Sequence, residues 1–254
     1  MRLRQCVFVA RDLEASRAEL CDILGIEVAY RDPGVGKWGL ANVVCPIGND
    51  FLEIVAPEKP GTSAGRYLDR RNGDGGYMVI LQVPDAIQER ERVAALGGIR
   101  AVEQKNLPEY RYTHFHPSDT ASVLLSIDSV VAPPDTDAAL FWPPASTDWV
   151  KHRRDDVTNG LAGVEIQFSD PATAASLWGR ILAKPVTTSG GVHRIATDGG
   201  EIRFVPIADG RGPGVSAYDV KAKDKARVLA AAEKRGKRKS DTQVEVCGCR
   251  INLV

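Results

Sequence analysis

The stretch CVFVARDLEASRAELCDILGIEV, residues 6–28, returns as VEIQFSDPATAASLWGRILAKPV, residues 164–186, at an offset of 158. In that alignment Asp12 falls on Asp170, Ile23 on Ile181, Leu24 on Leu182 and Val28 on Val186. Each copy runs from an apolar stretch through an aspartate into apolar residues at helical spacing. That order predicts a buried strand, an N-cap and an amphipathic helix. Gly25 supplies the helix stop in the first copy. Self-similarity at this distance marks an internal repeat.

Outward from the first copy, IEVAYRD, WGLANVVCPIG and DFLEIVAP read as extended segments, divided by DPGVG and the turn GND. The unit is therefore β-α-β-β-β. After the glycine-rich RRNGDGG, taken as a connection between units, the order recurs. Strand YMVILQVPD and helix AIQERERVAALGG precede IRAVEQ, RYTHFHP and ASVLLSID. The second half continues with GVHRIATDG and GEIRFVPI. It closes on a shortened unit, with strand GVSAYDV, helix DKARVLAAAEKRG and strands TQVEVCG and CRINLV. The fold class is thus α+β, with four tandem βαβββ modules in two domains, 1–130 and 161–254. Residues 131–160 carry proline pairs, polar turns and scattered apolar residues, which suits a connector lying over the surface.

The 254 residues suffice for a substantial core. Lys plus Arg and Asp plus Glu number 33 each, so no global field draws the chain to nucleic acid, a membrane surface or a highly charged substrate. The segment KAKDKARVLAAAEKRGKRKSD is locally basic but has no interleaved aromatics and reads as a solvated helix face. The partner expected is a small molecule, with the protein a monomer or homodimer. Most of the five cysteines lie in apolar runs, and no stretch reaches membrane-spanning length, so a reducing cytoplasm is the expected compartment. CGC at 247–249 lacks the second pair that a structural zinc site needs.

The paired units, with VARDLEASRAELCDILGIEV, FSDPATAASLWGRILAKPV and NDFLEIVAP, resemble the vicinal oxygen chelate superfamily of glyoxalases, bleomycin-resistance proteins and extradiol dioxygenases. The glyoxalase-like branch is nearest. HFHPSDTASVLLSID also resembles the last strands of methylmalonyl-CoA epimerases of that superfamily. The resemblance implies that paired units curl their sheets into a cup, with metal ligands on the first and last strand of each unit. Those slots fall on Gln5, Glu53, Met78 and Ser126 in the first half and on Gly163, Arg203, Val215 and Asn252 in the second.

Only Glu53 is a strong ligand, whereas a divalent ion needs about three carboxylate or imidazole donors. The chain is therefore expected to carry no metal and no other cofactor. Glu53, set among apolar residues in FLEIVAP, is a candidate general base oriented by Gln5. In YRYTHFHPSDT, His114 and His116 share one strand face with Tyr110 and Tyr112. Such a histidine pair binds metals, and it also ends strands for no chemical reason. His114 is taken as a catalytic candidate beside Glu53. Gln5, Met78, Tyr112, His116 and Ser126 are taken as ligand contacts. The leading expectation is a small organic molecule bound in the first cup without the usual metal. One alternative is a metal-dependent glyoxalase-like lyase, isomerase or dioxygenase using Glu53. The other is a sequestering protein without catalysis.

Overall fold

The computed structural model describes all 254 residues. The first unit comprises β1 (Arg2–Val9), α1 (Leu13–Leu24), β2 (Leu40–Ile47) and β3 (Asp50–Pro57), followed by α2 (Ser63–Arg71). The second has β4 (Gly75–Gln82), α3 (Ala86–Ala95), β5 (Ala101–Asn106), β6 (Tyr110–Phe115) and β7 (Leu124–Val130). Past the connector come β8 (Thr158–Phe168), α4 (Pro171–Leu182), β9 (Thr187–Ser189), β10 (Val192–Thr197) and β11 (Gly200–Pro206). The last unit holds β12 (Gly214–Ala222), α5 (Lys225–Lys234), β13 (Gln243–Val246) and β14 (Cys249–Leu253). No helix is long and apolar enough to cross a membrane.

The repeated helix starts are built alike. The Asp12 carboxylate accepts from the Ala15 amide and the Asp170 carboxylate from those of Ala172 and Thr173, each satisfying donors that the first turn leaves free. The helix ends differ. Gly25 sits at φ 66°, and a Cβ there would lie 2.5 Å from Val157, so only glycine fits. Its counterpart Ala183 adopts the same left-handed conformation at φ 50° with a side chain attached.

Each half forms one seven-stranded sheet, in the orders β2-β3-β1-β4-β7-β6-β5 and β13-β14-β12-β8-β11-β10-β9. Within a unit the first and last strands pair in parallel (β1 with β3, β4 with β7), and the antiparallel pair β1–β4 joins the two units. Register shifts at Leu3/Gln5 and Val7/Phe8 bulge that central pair, and bulges bend and twist a sheet. Alternation along the strands then separates two faces. Cys6, Phe8, Leu52, Ile54, Val79 and Leu81 join a 46-residue cluster that also takes in residues of the second sheet and of helices from both halves. The convex sides thus share one core, tied across by the Tyr218 hydroxyl donating to the Val7 carbonyl at 2.7 Å. The concave faces are left free of it.

Three expectations need correction. IEVAYRD is not a strand: Tyr30 makes only an isolated bridge to Val44, because Asp32 accepts from the Gly34 amide and Pro33 opens a 3-10 helix over Pro33–Trp38. The approach to RRNGDGG is helical, since Thr62 caps α2, whose Ala64, Tyr67 and Leu68 are buried against the first concave face. The connector does not merely cover the surface. Its Trp142, Ala145 and Trp149 are buried in that concave face within a 15-residue cluster that includes Val7, Val9, Val44, Phe51, Val55, Met78 and Ile80. A concave apolar sheet surface left open would expose hundreds of Å², and the two indoles close it.

Because Ala183 bears a side chain where its repeat partner has glycine, Ala183→Gly should stabilise the protein by about 0.5–1 kcal/mol. The gain is the relief of left-handed strain less the added entropy of the unfolded chain. Denaturant titration of both proteins checks it; a loss of stability would show that the helix end tolerates alanine without strain.

Candidate functional site

The first concave face is apolar at its floor and polar along two ridges. One ridge starts at the connector. The Trp142 indole N–H donates to Gln5 Oε1 at 2.8 Å, and Gln5 Nε2 donates to Glu53 Oε2 at 2.6 Å. From the other side Asn42 Nδ2 donates to Glu53 Oε1 at 2.6 Å, while Asn42 Oδ1 accepts from the Asp32 amide at 2.8 Å. Both ends of this chain are obligate donors pointing inward, so the amide orientations are determined and position 53 must accept on both oxygens. Burial pushes the Glu53 pKa up, and the bonds from Asn42 and Gln5 oppose that rise.

The second ridge lies on β6 and β7. Tyr110, Tyr112 and His114 alternate onto the concave face opposite Val130, Asp128 and Ser126 of β7. The Tyr110 and Ser126 hydroxyls donate to the two oxygens of Asp128, a fully buried carboxyl with no lysine or arginine in contact. Burial raises the Asp128 pKa to about 7 against the pull of those two hydroxyls. The His114 ring stacks on Tyr112 with centroids 4.6 Å apart and lies 6.3 Å from that of Trp38. Burial lowers its pKa to about 4, so it is a neutral imidazole at physiological pH. At the rim Lys37 pairs with Glu103 at 2.8 Å, and Tyr112 donates to the same carboxylate oxygen at 3.3 Å. The Tyr110–Trp142 edge contact, 5.8 Å between centroids, joins the two ridges.

Of the residues singled out in the sequence, Gln5 and Glu53 meet directly. Tyr112, His114 and Ser126 share the second ridge, and Met78 belongs to the apolar floor. His116 is not brought in: its ring accepts from the Ser118 amide and caps the turn after β6, beside Arg100. Asn42, Asp128 and Trp142 were not singled out. Asp128 sits two residues beyond Ser126 on a strand, so the period of two would have placed it on the same face. Asn42 is hidden in an apolar run and Trp142 in a connector, where no periodicity marks them.

The donor set does not fit a divalent cation. Glu53 is the one anionic group among Gln5, Glu53, Met78 and Ser126, and both its oxygens are already taken by amide N–H groups. Ser126 gives its proton to Asp128, and a thioether is a poor ligand for a hard ion. No three His, Cys, Asp or Glu side chains converge anywhere in the chain.

The second concave face is satisfied differently. Arg203 forks onto Asp219, Arg250 Nη2 meets Glu165 Oε1 at 2.8 Å, and Asn252 Nδ2 donates to Asp219 Oδ1 at 2.7 Å. Every acid there has a cation. Val215, assigned by analogy to a ligand slot, belongs instead to the convex core, because the β8–β12 register shifts between Val215 and Ala217.

Comparison with known proteins agrees with this architecture. A family profile described as a glyoxalase-like domain matches residues 6–182. Among solved structures, a triple mutant of 4-hydroxymandelate synthase from Streptomyces coelicolor superposes with a TM-score of 0.68 at 18% identity, over 92% of this chain and 75% of that one. A hypothetical protein from Staphylococcus aureus gives 0.67 at 9% identity, over 100% and 98%. Methylmalonyl-CoA epimerase from S. coelicolor matches at 20% identity with a TM-score of 0.46, covering 52% of this chain and 99% of its own. No curated protein matches. The fold is that of the vicinal oxygen chelate superfamily, in two domains with open sheets.

Two substitutions test the ridges. Glu53→Gln places a donor where two donors already converge, so it should cost about 1–3 kcal/mol by leaving one amide unpaired. Denaturant titration reads it, and an unchanged midpoint would refute the inward polarity of the chain. Asp128 behaves oppositely. Its folded pKa of about 7 lies above the unfolded one, so its contribution is full below about pH 4 and is lost as pH rises through 7. Asp128→Asn should therefore match wild type near pH 4 and exceed it above pH 7, by at most on the order of 4 kcal/mol. Melting curves between those pH values that stay parallel would exclude the shift.

Proposed function

We propose that this chain, which belongs to the glyoxalase-like domain family, binds a small organic molecule on the concave face of its first domain and does so without a divalent metal. One observation carries the reading. Two buried carboxyls, Glu53 and Asp128, stand on an aromatic-lined concave surface with no cationic side chain in contact. Buried acids of that kind cost stability, and such groups concentrate where a ligand or a proton transfer uses them. The second domain, with its acids neutralised by Arg203 and Arg250, completes the shared core.

Within this reading Asp128 is the group best placed to exchange a proton with a bound molecule near neutral pH, since its pKa lies closest to it. Glu53 accepts from an amide N–H on each oxygen, which opposes the rise in its pKa that burial causes. His114 and Tyr112 form an aromatic wall, with the imidazole neutral. Proton transfer at a carbon or oxygen acid would make the protein a metal-independent lyase or isomerase; without it the site is a binding cup.

Nucleic acid does not suit the chain. In the basic segment, Arg235 pairs with Asp22, Lys237 with Glu19 and Glu245, Arg238 with Asp241, and Lys239 with Glu245, so the run at 235–239 is largely neutralised by neighbouring acids and no aromatic side chain interleaves with its charges.

The reading predicts less than a tenth of an equivalent of zinc, iron, manganese or nickel per purified chain by elemental analysis. It also predicts at least one melting-temperature increase from a panel of small aromatic and aliphatic metabolites, diminished by Tyr112→Ala. Stoichiometric metal, or a panel without any shift, would overturn it.

A further inference from the structure

The connector places one of its own side chains on the first concave face. Trp142 presents a planar ring with one N–H: the ring stacks on Phe51 at 6.2 Å with planes 16° apart, its edge meets Tyr110, and its N–H goes to Gln5 Oε1. Arg4, itself fully buried, lies 5.1 Å from the centroids of both Phe51 and Trp142 and donates to the carbonyls of Asn49 and Ala139. Phe51 and the Arg4 guanidinium thus flank the ring slot together, on one side of it.

The polarity of the Gln5–Glu53–Asn42 chain fixes what an occupant must offer. The Asp32 amide and the two side-chain amides direct every donor toward Glu53, so Gln5 turns its oxygen to the slot and accepts. An occupant without a donor leaves that buried oxygen unpaired, at a cost comparable to a lost hydrogen bond. Beyond Tyr110 lies Asp128, which has two hydroxyl donors and no counter-ion. Arg4 does not serve it, being bound to the carbonyls at the other end of the ring. The concave face of the second domain shows the contrast, with Glu165 and Asp219 each held by an arginine. In the first domain neither Glu53 nor Asp128 has a cation in contact, and the one buried cation of the cup, Arg4, is bound to backbone carbonyls.

We propose that the first cup is a site for an aromatic amine, a planar N–H-bearing ring with a protonated amino group, which takes the place of Trp142. The ring stacks on Phe51 with Arg4 beside both rings, the ring N–H donates to Gln5, and the ammonium group meets Asp128 beside the Tyr110 and Tyr112 rings, whose faces attract cations. Trp142 is then the resident competitor, and the segment from Ala139 to Trp149 moves aside on binding. This rests on the small-molecule reading above and names its ligand class.

The test uses four probes on one ring system: tryptamine, its neutral analogue tryptophol, its anionic analogue indole-3-propionate, and 1-methyltryptamine, which lacks the ring donor. Titration calorimetry of the full chain should show tryptamine binding at least tenfold more tightly than tryptophol or 1-methyltryptamine, with indole-3-propionate weakest. Asp128→Asn should abolish the preference for tryptamine over tryptophol. Trp142→Ala should bind tryptamine at least tenfold more tightly than wild type. Trp142→Phe, which keeps the ring and loses the donor, should do so in the same direction if the alanine variant fails to fold. Indole-3-propionate binding as tightly as tryptamine, methylation without effect, or unaltered affinity in both Trp142 variants would each overturn the proposal while leaving a small-molecule cup in place. Failure of all four probes overturns it too. If the wider metabolite panel is also silent, the underlying reading falls with it.

Discussion

A buried carboxylate with donors arriving from both sides organises the first domain. Glu53 can accept from Asn42 and Gln5 only if each amide is turned one way, and that leaves Gln5 Oε1 to be satisfied by a third donor. The indole of Trp142, in the connector beyond β7, is that donor. The bond does more than satisfy one oxygen. It anchors a polar, proline-rich segment across an apolar concavity, and Trp149 follows it in, edge-on to Phe51 at 4.9 Å. A connector of this composition has no periodic apolar face of its own, so its conformation is borrowed from the sheet it covers.

The two domains meet the same architectural problem in two ways. Each sheet turns its convex face into the common core, and each is left with a concave face to satisfy. In the second domain Arg203, Arg250, Glu165, Asp219 and Asn252 neutralise one another at the sheet surface, which needs no cover. In the first, apolar residues dominate and the acids have no counter-ions, so the surface must be covered or occupied. The asymmetry is chemical, since strand order and pairing are equivalent in the two sheets. The proposed binding reading rests on that asymmetry.

Much of the fold was legible because it repeats. The Asp12 and Asp170 caps, the strands preceding them and the four-unit order follow from local patterns that the structure reproduces. The lost strand at IEVAYRD was illegible because Pro33, directly after it, diverts the chain after a single bridge, and edge strands have no second neighbour to hold them. Helix α2 was hidden by its short length and by the charged residues that flank its two buried turns. Within the site, Gln5 and Glu53 could be paired by their slots on adjacent strands. Trp142 could not, because its partner lies 137 residues away and no sequence spacing encodes such a contact.

The same geometry bears on the superfamily's chelate. A metal on Glu53 would compete with two amide donors for its oxygens, and a Gln5 turned over to offer its oxygen to that metal would set an N–H group against the Trp142 N–H. A buried donor left unpaired in this way costs about 1–3 kcal/mol. A glutamine in the first-strand slot is therefore not merely a missing ligand. Glutamine has both a donor and an acceptor, so it converts the ligand position into a relay, linking a carboxylate on β3 to whatever stands over the floor of the cup. Under the proposed reading, such a site works by hydrogen bonding, ring stacking and proton exchange through Asp128. All three act on an organic ligand directly.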